Sequence, residues 1–136
     1  MIERVHTGGC LCGAVRYQVA GAPLRVGLCH CDTCRRNTGA SFGTFAVVRR
    51  AQFALLSGAP AFFQSSPAGR RHFCAACGSP VYADWTNSDE IDIYVGTLDV
   101  PDALAPTYEL WTVRRAPWLP AIEGLDRYAR DRSDPT

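Results

Sequence analysis

The sequence has no long hydrophobic run, and this absence argues against a membrane-spanning helix. No uncharged apolar stretch approaches the ~18 residues that a membrane span needs. Residues 1–7 include Glu3, Arg4 and His6, and they lack the apolar segment that a signal peptide requires. We therefore predict a cytoplasmic protein with no membrane partner.

The chain also lacks an excess of charge of either sign. Fourteen basic residues against thirteen acidic ones leave a formal net charge of +1. A nearly neutral chain gives no basis for a phosphate-binding surface, and we predict no nucleic-acid partner. With 136 residues, 47% of them hydrophobic, and no internal repeat or interdomain linker, residues 1–136 are predicted to form a single domain.

The sequence shows no convincing long helical pattern, whereas it contains many short stretches typical of strands. Residues 90–95 alternate apolar and polar side chains strictly and give the clearest strand signal. Further strands are predicted at residues 14–19, 24–28, 41–48, 52–56, 61–65, 70–73, 79–82 and 108–113, between segments rich in glycine and proline. We interpret residues 35–39 as a polar turn and expect the charged tail from Asp126 to fray. Together these features predict an all-β fold.

Three of the seven cysteines fall within six residues, which is too dense for ordinary packing. Residues two apart in an extended segment point to the same side, so Cys29 and Cys31 can converge while His30 faces away. A tight turn would return Cys34 to the same point. Three thiolates can hold Zn²⁺ and leave one coordination position open, which distinguishes catalytic from structural zinc. The alternative is a structural zinc with His30 or a water as the fourth ligand.

The other four cysteines form two short-spaced pairs, Cys10 with Cys12 and Cys74 with Cys77. Together they could close a four-sulfur zinc site, and two strands joined at Cys77-Gly78 predict a zinc-knuckle hairpin. Spacing alone also permits Cys10 and Cys12 to join two of the central three. Clustered cysteines in a reducing compartment favour metal over disulfides, and an odd number would leave one thiol unpaired. A thioredoxin-like role for Cys74 and Cys77 would require a βαβ context, which the sequence does not indicate.

Several side chains next to the central cysteines are candidates for chemistry. His30 could act as a general base, since histidine titrates near neutrality; the alternative is a histidine satisfied by a hydrogen bond. Arg35 and Arg36 could bind a substrate carboxylate bidentately, or they could lie on a solvated turn. Asp32 is expected to cap the backbone of the turn.

The remaining arginine pairs and tryptophans receive less specific interpretations. Arg49-Arg50 and Arg70-Arg71 are expected to be surface charges at the ends of strands. Trp111 and Trp118 could form the wall of a pocket, although aromatic residues more often belong to the core.

Taken together, these motifs resemble the glutathione-dependent formaldehyde-activating enzyme family, which also includes centromere protein V. The most specific of them are the C-H-C-x-x-C run at residues 29–34 and the C-x-x-C-G-S-P run at residues 74–80. The resemblance covers roughly residues 8–120, and its matching stretches are residues 9–13, 15–17, 29–35, 39–40, 71–80, 96–99 and 117–118.

The resemblance implies a β-tent fold of short antiparallel sheets built around zinc-knuckle hairpins, with two zinc ions per chain. It assigns a structural zinc to Cys10, Cys12, Cys74 and Cys77 and a catalytic zinc to Cys29, Cys31 and Cys34. It also implies a carbon–sulfur lyase, or synthase, acting on an adduct of glutathione or a related thiol, such as S-hydroxymethylglutathione.

A fold does not establish an activity, so a second hypothesis is kept. The chain could be a non-catalytic zinc module that binds a protein partner. The open zinc position and the neighbouring arginines favour the enzyme. In either case we expect a monomer or a homodimer.

Overall fold

The computed structural model describes residues 4–132, and its strands form two sheets, which confirms the predicted all-β class. The strands are β1 Val5–Gly9, β2 Arg16–Ala20, β3 Arg25–Cys29, β4 Gly43–Arg49, β5 Phe53–Ser57, β6 Ala61–Gln64, β7 Gly69–Phe73, β8 Pro80–Trp85, β9 Glu90–Tyr94, β10 Tyr108–Leu110 and β11 Asp126–Arg127. One α-helix, α1, spans Asp32–Thr38, and short 3₁₀ turns lie at Arg50–Gln52, Val95–Thr97, Pro101–Ala103 and Thr112–Arg114. Among residues 4–132, no helix has the length and apolar character needed to cross a membrane.

The smaller sheet has the strand order β1-β2-β5, and the larger sheet has the order β11-β10-β3-β4-β9-β8-β7-β6. Most neighbours are antiparallel, as expected for strands joined by short turns. The exceptions are the pairs of β10 with β3 and with β11, which are parallel. Residues 95–107 separate β9 from β10, and a connection of this length lets the chain re-enter the sheet in the same direction as β3.

The main hydrophobic core lies between the two sheets. Strand alternation places every second side chain of the larger sheet on this inner face. The buried cluster combines side chains of both sheets, among them Val15, Tyr17, Val19, Val26, Ala46, Val48, Tyr82, Ile91 and Ile93. The intervening residues, such as Phe45 and Tyr94, point to the opposite face of the larger sheet, where a second buried cluster includes Cys29 and Cys34.

Helix α1 replaces the polar turn that was predicted at residues 35–39, so that prediction is wrong. The helix begins after Cys31, whose Sγ accepts a hydrogen bond from the Cys34 N–H at 3.3 Å. It ends at Gly39, which adopts the left-handed conformation with φ of 66°. Cysteine is not among the usual N-cap residues, so the start signal was absent from the sequence pattern.

The strand predicted at residues 108–113 is shorter in the structure, because Trp111 turns the chain with φ of 58°. Residues 126–130 are held at the edge of the larger sheet, although the sequence predicted a frayed tail from Asp126. Asp126 and Arg127 pair with β10, and the backbone N–H of Trp111 donates to the Arg130 carbonyl at 2.9 Å. The rest of the predicted frayed tail, residues 133–136, lies outside the described residues.

Candidate metal centres and cavity

The sulfurs of Cys10, Cys12, Cys74 and Cys77, called here the four-thiol group, all lie within 4.8 Å of one another. The Cys10 and Cys12 sulfurs are 3.6 Å apart, and those of Cys12 and Cys74 are 3.8 Å apart. Four sulfurs placed tetrahedrally at about 2.3 Å from a zinc ion would be about 3.8 Å apart. The group therefore has the dimensions of a tetrahedral metal site, and it combines the Cys10/Cys12 pair with the Cys74/Cys77 pair.

Two tight turns build the four-thiol group, and each depends on a glycine directly after its last cysteine. Gly13 has φ of 83° and Gly78 has φ of 79°, conformations that side chains rarely tolerate. Ser79 connects the turns, because its Oγ accepts from the Leu11 N–H at 3.1 Å and lies 3.2 Å from the Cys77 sulfur. The first turn joins β1 to β2 and the second joins β7 to β8, so the group fastens one sheet to the other.

The sulfurs of Cys29, Cys31 and Cys34, called here the three-thiol group, also lie within 4.8 Å of one another. Cys29 ends β3, and the first turn of α1 returns Cys34 toward it. The Cys29 and Cys34 thiols donate to the Cys31 sulfur and lower the pKa of Cys31 far below its ordinary value, while the same contact raises the pKa of Cys29. A lowered pKa favours the thiolate form of Cys31, which is the form that binds metal ions.

A cavity of about 190 Å³ lies on the open face of the larger sheet, and all three thiols of this group line it. Trp85 and Trp111 form aromatic walls of the cavity. Trp111 therefore lies in a pocket wall, as the sequence suggested. Trp118, by contrast, is 72% exposed and does not line this cavity. The charged side chains at the cavity are Arg71, Asp92 and Asp131.

Arg71 was interpreted from the sequence as a surface charge, and this interpretation is wrong. Its guanidinium lines the cavity and donates to the hydroxyls of Tyr94 at 3.3 Å and Ser65 at 3.4 Å. Its positive charge also contributes to lowering the pKa of Cys31. The neighbouring His72 is buried on the core side, so strand alternation around Cys74 could have placed Arg71 on the cavity side.

Asp92 is a second cavity residue that the sequence reasoning did not single out. Burial raises the pKa of its carboxyl to about 7, although the nearby Arg71 and Arg25 act in the opposite direction. A carboxyl that titrates near neutrality inside a cavity is a typical feature of functional sites. The strict alternation of residues 90–95 predicted the strand correctly, but it could not show which of its two faces is functional.

His30 lies apart from the three-thiol group, as the alternation argument expected. Its side chain is fully buried, and its Nε2 is 2.8 Å from Glu109 Oε1. Its ring lies 5.5 Å from that of Phe42. Glu109 is also paired with Arg115 at 3.2 Å, so a buried charged cluster supports the loop behind the thiols.

Arg35 and Arg36 line a different, open cleft together with Asp32 and Arg114. Arg35 donates to the Arg114 carbonyl at 3.1 Å. Asp32 forms an ion pair with Arg114 at 2.9 Å instead of capping a turn as expected. The structure therefore does not bring Arg35 or Arg36 into the lining of the cavity that contains the three thiols.

The family model described as "Glutathione-dependent formaldehyde-activating enzyme" matches residues 5–114. An uncharacterized lyase of Schizosaccharomyces pombe is 29% identical over 82 residues, covering 60% of this chain and 59% of that protein. A putative glutathione-dependent formaldehyde-activating enzyme of Halomonas elongata is 34% identical over 86 residues, covering 55% of this chain and 53% of that protein. The chain thus spans little more than half the length of these curated relatives.

The fold is also similar to a solved structure. The crystal structure of a Rhodobacter sphaeroides protein superposes with a TM-score of 0.58 and 26% sequence identity. The match covers 68% of this chain and 87% of that one.

Proposed function

Because the chain belongs to the glutathione-dependent formaldehyde-activating enzyme family, we propose that it is a zinc-dependent carbon–sulfur lyase or synthase. Its substrate would be an adduct of glutathione or a related thiol, such as S-hydroxymethylglutathione. In the synthetic direction a carbon–sulfur bond forms between the thiol sulfur and the carbonyl carbon of formaldehyde, and the thiol proton passes to the carbonyl oxygen. The reverse reaction breaks the same bond and needs no oxidant or reductant.

The two thiol groups support different roles for zinc. The four-thiol group offers a complete tetrahedral ligand set, which suits a structural ion, whereas Cys29, Cys31 and Cys34 would leave one position for a substrate. A zinc ion held there would supply Lewis acidity, lowering the pKa of a thiol or polarising a carbonyl oxygen.

The surrounding side chains would bind and orient the substrate. Arg71 is held by Tyr94 and Ser65, and its guanidinium can donate hydrogen bonds to a carboxylate or to an oxygen that gains negative charge. Trp85 and Trp111 provide apolar walls that displace water from the bound thiol. These contacts position a small thiol compound beside the three sulfurs.

Two roles predicted from the sequence stay predictions. The carboxylate clamp of Arg35 and Arg36 would act at the neighbouring open cleft rather than inside the cavity. His30 as general base would first have to exchange its buried contact with Glu109 for one with substrate. Its present contacts favour a role in holding the thiol loop.

The observation that carries the proposal is a three-thiol group that lines a cavity together with Arg71. Exchange NMR of glutathione and formaldehyde at equilibrium tests it. Zinc-loaded protein should accelerate the exchange above the uncatalysed rate, and Cys31→Ser should abolish the acceleration. Wild-type protein with both zinc sites filled that shows neither acceleration nor heat of binding at millimolar glutathione would contradict the proposal.

One observation favours the alternative of a protein-binding zinc module. The edge strand β6 exposes Phe62 and Phe63, which are 52% and 67% accessible. Exposed apolar edge strands are sites at which other chains can pair. If a Phe62→Ser, Phe63→Ser double variant loses a partner while thiol exchange is absent from the wild type, this alternative replaces the enzyme.

A further inference from the structure

A basic and an acidic side chain, Arg71 and Asp92, line the cavity in one row across the larger sheet. Arg71 on β7 is directly opposite Ala83 on β8, and Ala83 is opposite Asp92 on β9. Directly opposite residues of antiparallel strands share a face, so all three side chains point toward the cavity face. With neighbouring strands about 4.8 Å apart, the two charged residues start roughly 10 Å from each other.

Arg71 and Asp92 influence each other only at a distance, since Arg71 acts to lower the pKa of Asp92 without a hydrogen bond between them. Within the described part of the chain, no ion pair joins Arg71 to Asp92, and the guanidinium is held by the hydroxyls of Tyr94 and Ser65. The Asp92 carboxylate accepts no hydrogen bond from any described residue. A charged group that is removed from water normally has a partner of opposite charge. Neither Arg71 nor Asp92 forms an ion pair with a described residue, so each remains available to a ligand of opposite charge.

The row also lies at a defined distance from the three-thiol group. Asp92 is opposite Val47 on β4, and Val47 is opposite Arg25 on β3. Arg25 and Cys29 begin and end the same strand, four residues apart, which corresponds to roughly 13 Å. The Arg71 side chain shortens this distance, because its guanidinium interacts with Cys34 and contributes to lowering the pKa of Cys31. A thiol of tripeptide length, about 10 Å when extended, can therefore place its sulfur at the cysteines and its terminal charged group between Arg71 and Asp92.

We propose that Arg71 and Asp92 together bind a zwitterionic α-amino-acid group at the far end of the thiol substrate. Arg71 binds the carboxylate of this group, and Asp92 accepts hydrogen bonds from its ammonium. In glutathione this group is the α-amino acid of the γ-glutamyl residue. The inference depends on the proposed function for the identity of the thiol, and it makes these two residues the determinants of specificity for γ-glutamyl thiols.

The test uses glutathione and two analogues that each lack one charge. Glutaryl-cysteinylglycine lacks the ammonium, and 4-aminobutyryl-cysteinylglycine lacks the corresponding carboxylate. Calorimetry on zinc-loaded wild-type protein should show that each analogue binds about tenfold more weakly than glutathione, as expected for one lost charge-assisted contact.

Two variants then assign each charge to its residue. Asp92→Asn should remove the advantage of glutathione over the glutaryl analogue and keep its advantage over the aminobutyryl analogue. Arg71→Gln should give the reverse pattern. This crossed pattern would not follow from a merely structural role, because a distorted cavity would weaken all three ligands alike. Asp102→Asn, a matched change at an exposed position, should leave all three affinities unchanged.

Folding is checked with zinc content and thermal melting. Burial raises the pKa of Asp92, with Glu90 adding to it and Arg71 and Arg25 opposing it, so ionisation of this carboxyl destabilises the fold. The Asn variant should therefore melt at an equal or higher temperature at pH 8 and should keep both zinc ions. Equal affinity of the wild type for all three thiols, or an equal loss for all three in Asp92→Asn, would overturn this inference alone. Failure of every thiol to bind the zinc-loaded wild type would overturn the proposed function together with it.

Discussion

The four-thiol group and the three-thiol group use the same side chain, yet they are built into the molecule in opposite ways. The first joins two turns that are more than sixty residues apart and belong to different sheets. The second comes from one strand end and the helix that follows it, and it faces a cavity. A metal in the first site would close a long loop, whereas a metal in the second would be accessible to small molecules.

The source of charge stabilisation also differs between the two groups. In the four-thiol group, hydrogen bonds from Ser79 lower the pKa of Cys77 to about 5. In the three-thiol group, the neighbouring thiols lower the pKa of Cys31, and Arg71 assists from across the cavity. Hydrogen bonds within a turn thus stabilise the thiolate of Cys77, whereas a residue from a distant strand helps to stabilise that of Cys31.

The largest expected effect is on folding, through Cys74→Ser. Loss of one ligand of a structural zinc removes folding free energy directly, and we expect about 4 kcal/mol of destabilisation. The melting temperature should fall by at least ~10 °C. Thermal melting beside Cys31→Ser as the matched control measures the difference. If Cys31→Ser is the more destabilised variant, the roles assigned to the two groups are exchanged.

The next effect is on zinc content and activity, through Cys31→Ser. A serine hydroxyl can still cap α1, so this substitution removes a metal ligand while keeping the helix start. We expect the loss of one zinc ion and a fall in activity of at least ~100-fold. The melting temperature should change by only a few degrees, as is typical of substitutions that do not disturb the core. Elemental analysis after mild chelation checks this, and a variant that retains both ions would contradict it.

A smaller effect concerns Asp84, which secures the hairpin of the four-thiol group from the core side. Burial would raise the pKa of this carboxyl, but hydrogen bonds from Arg70, His72 and Arg50 outweigh it and lower the pKa to about 2. Because the folded-state pKa lies below the unfolded value of about 3.9, the stabilisation of about 2 kcal/mol is present above pH 4 and is lost as pH falls toward 2.

Asp84→Asn should therefore reduce the free energy of unfolding at pH 7 and converge with the wild type near pH 2. Urea denaturation at pH 7, 4 and 2.5 measures this, with the exposed Asp102→Asn as the control. Because the carboxylate lies on the core side, thiol affinity per folded molecule should not change. A difference in stability that stays constant across this pH range would refute the assignment.

The smallest expected effect tests which arginines bind the carboxylate of the substrate, Arg71 or the pair Arg35 and Arg36. Arg71→Gln should weaken glutathione binding about tenfold, because a partly buried charge is lost from the cavity. The Arg35→Ala, Arg36→Ala double variant tests the original clamp, and we expect a smaller loss that disappears at high salt, since these side chains line an open cleft. Calorimetry on zinc-loaded protein decides, and a larger loss in the double variant would restore the clamp.

Much of the fold could be predicted from the sequence because its signals are local. The alternation of residues 90–95 and the glycine after Cys77 correctly indicated β9 and the hairpin of β7 and β8. The predictions failed where an unusual helix cap or a distant contact decides the structure. Helix α1 begins at a cysteine that caps it, and Asp126 and Arg127 are held by pairing with β10.

The sequence by itself determined the three-thiol group and the two separate cysteine pairs, since short spacing along a strand or a turn brings sulfurs together without help from the rest of the chain. Only the tertiary structure decided that the two pairs meet in one four-thiol group, and which arginine accompanies the three thiols. Arg35 and Arg36 are nearest in sequence but line another cleft, whereas Arg71 and Asp92 enter the cavity from β7 and β9. Which strands become neighbours, and which face of the sheet each side chain occupies, depends on long-range pairing that local patterns do not encode.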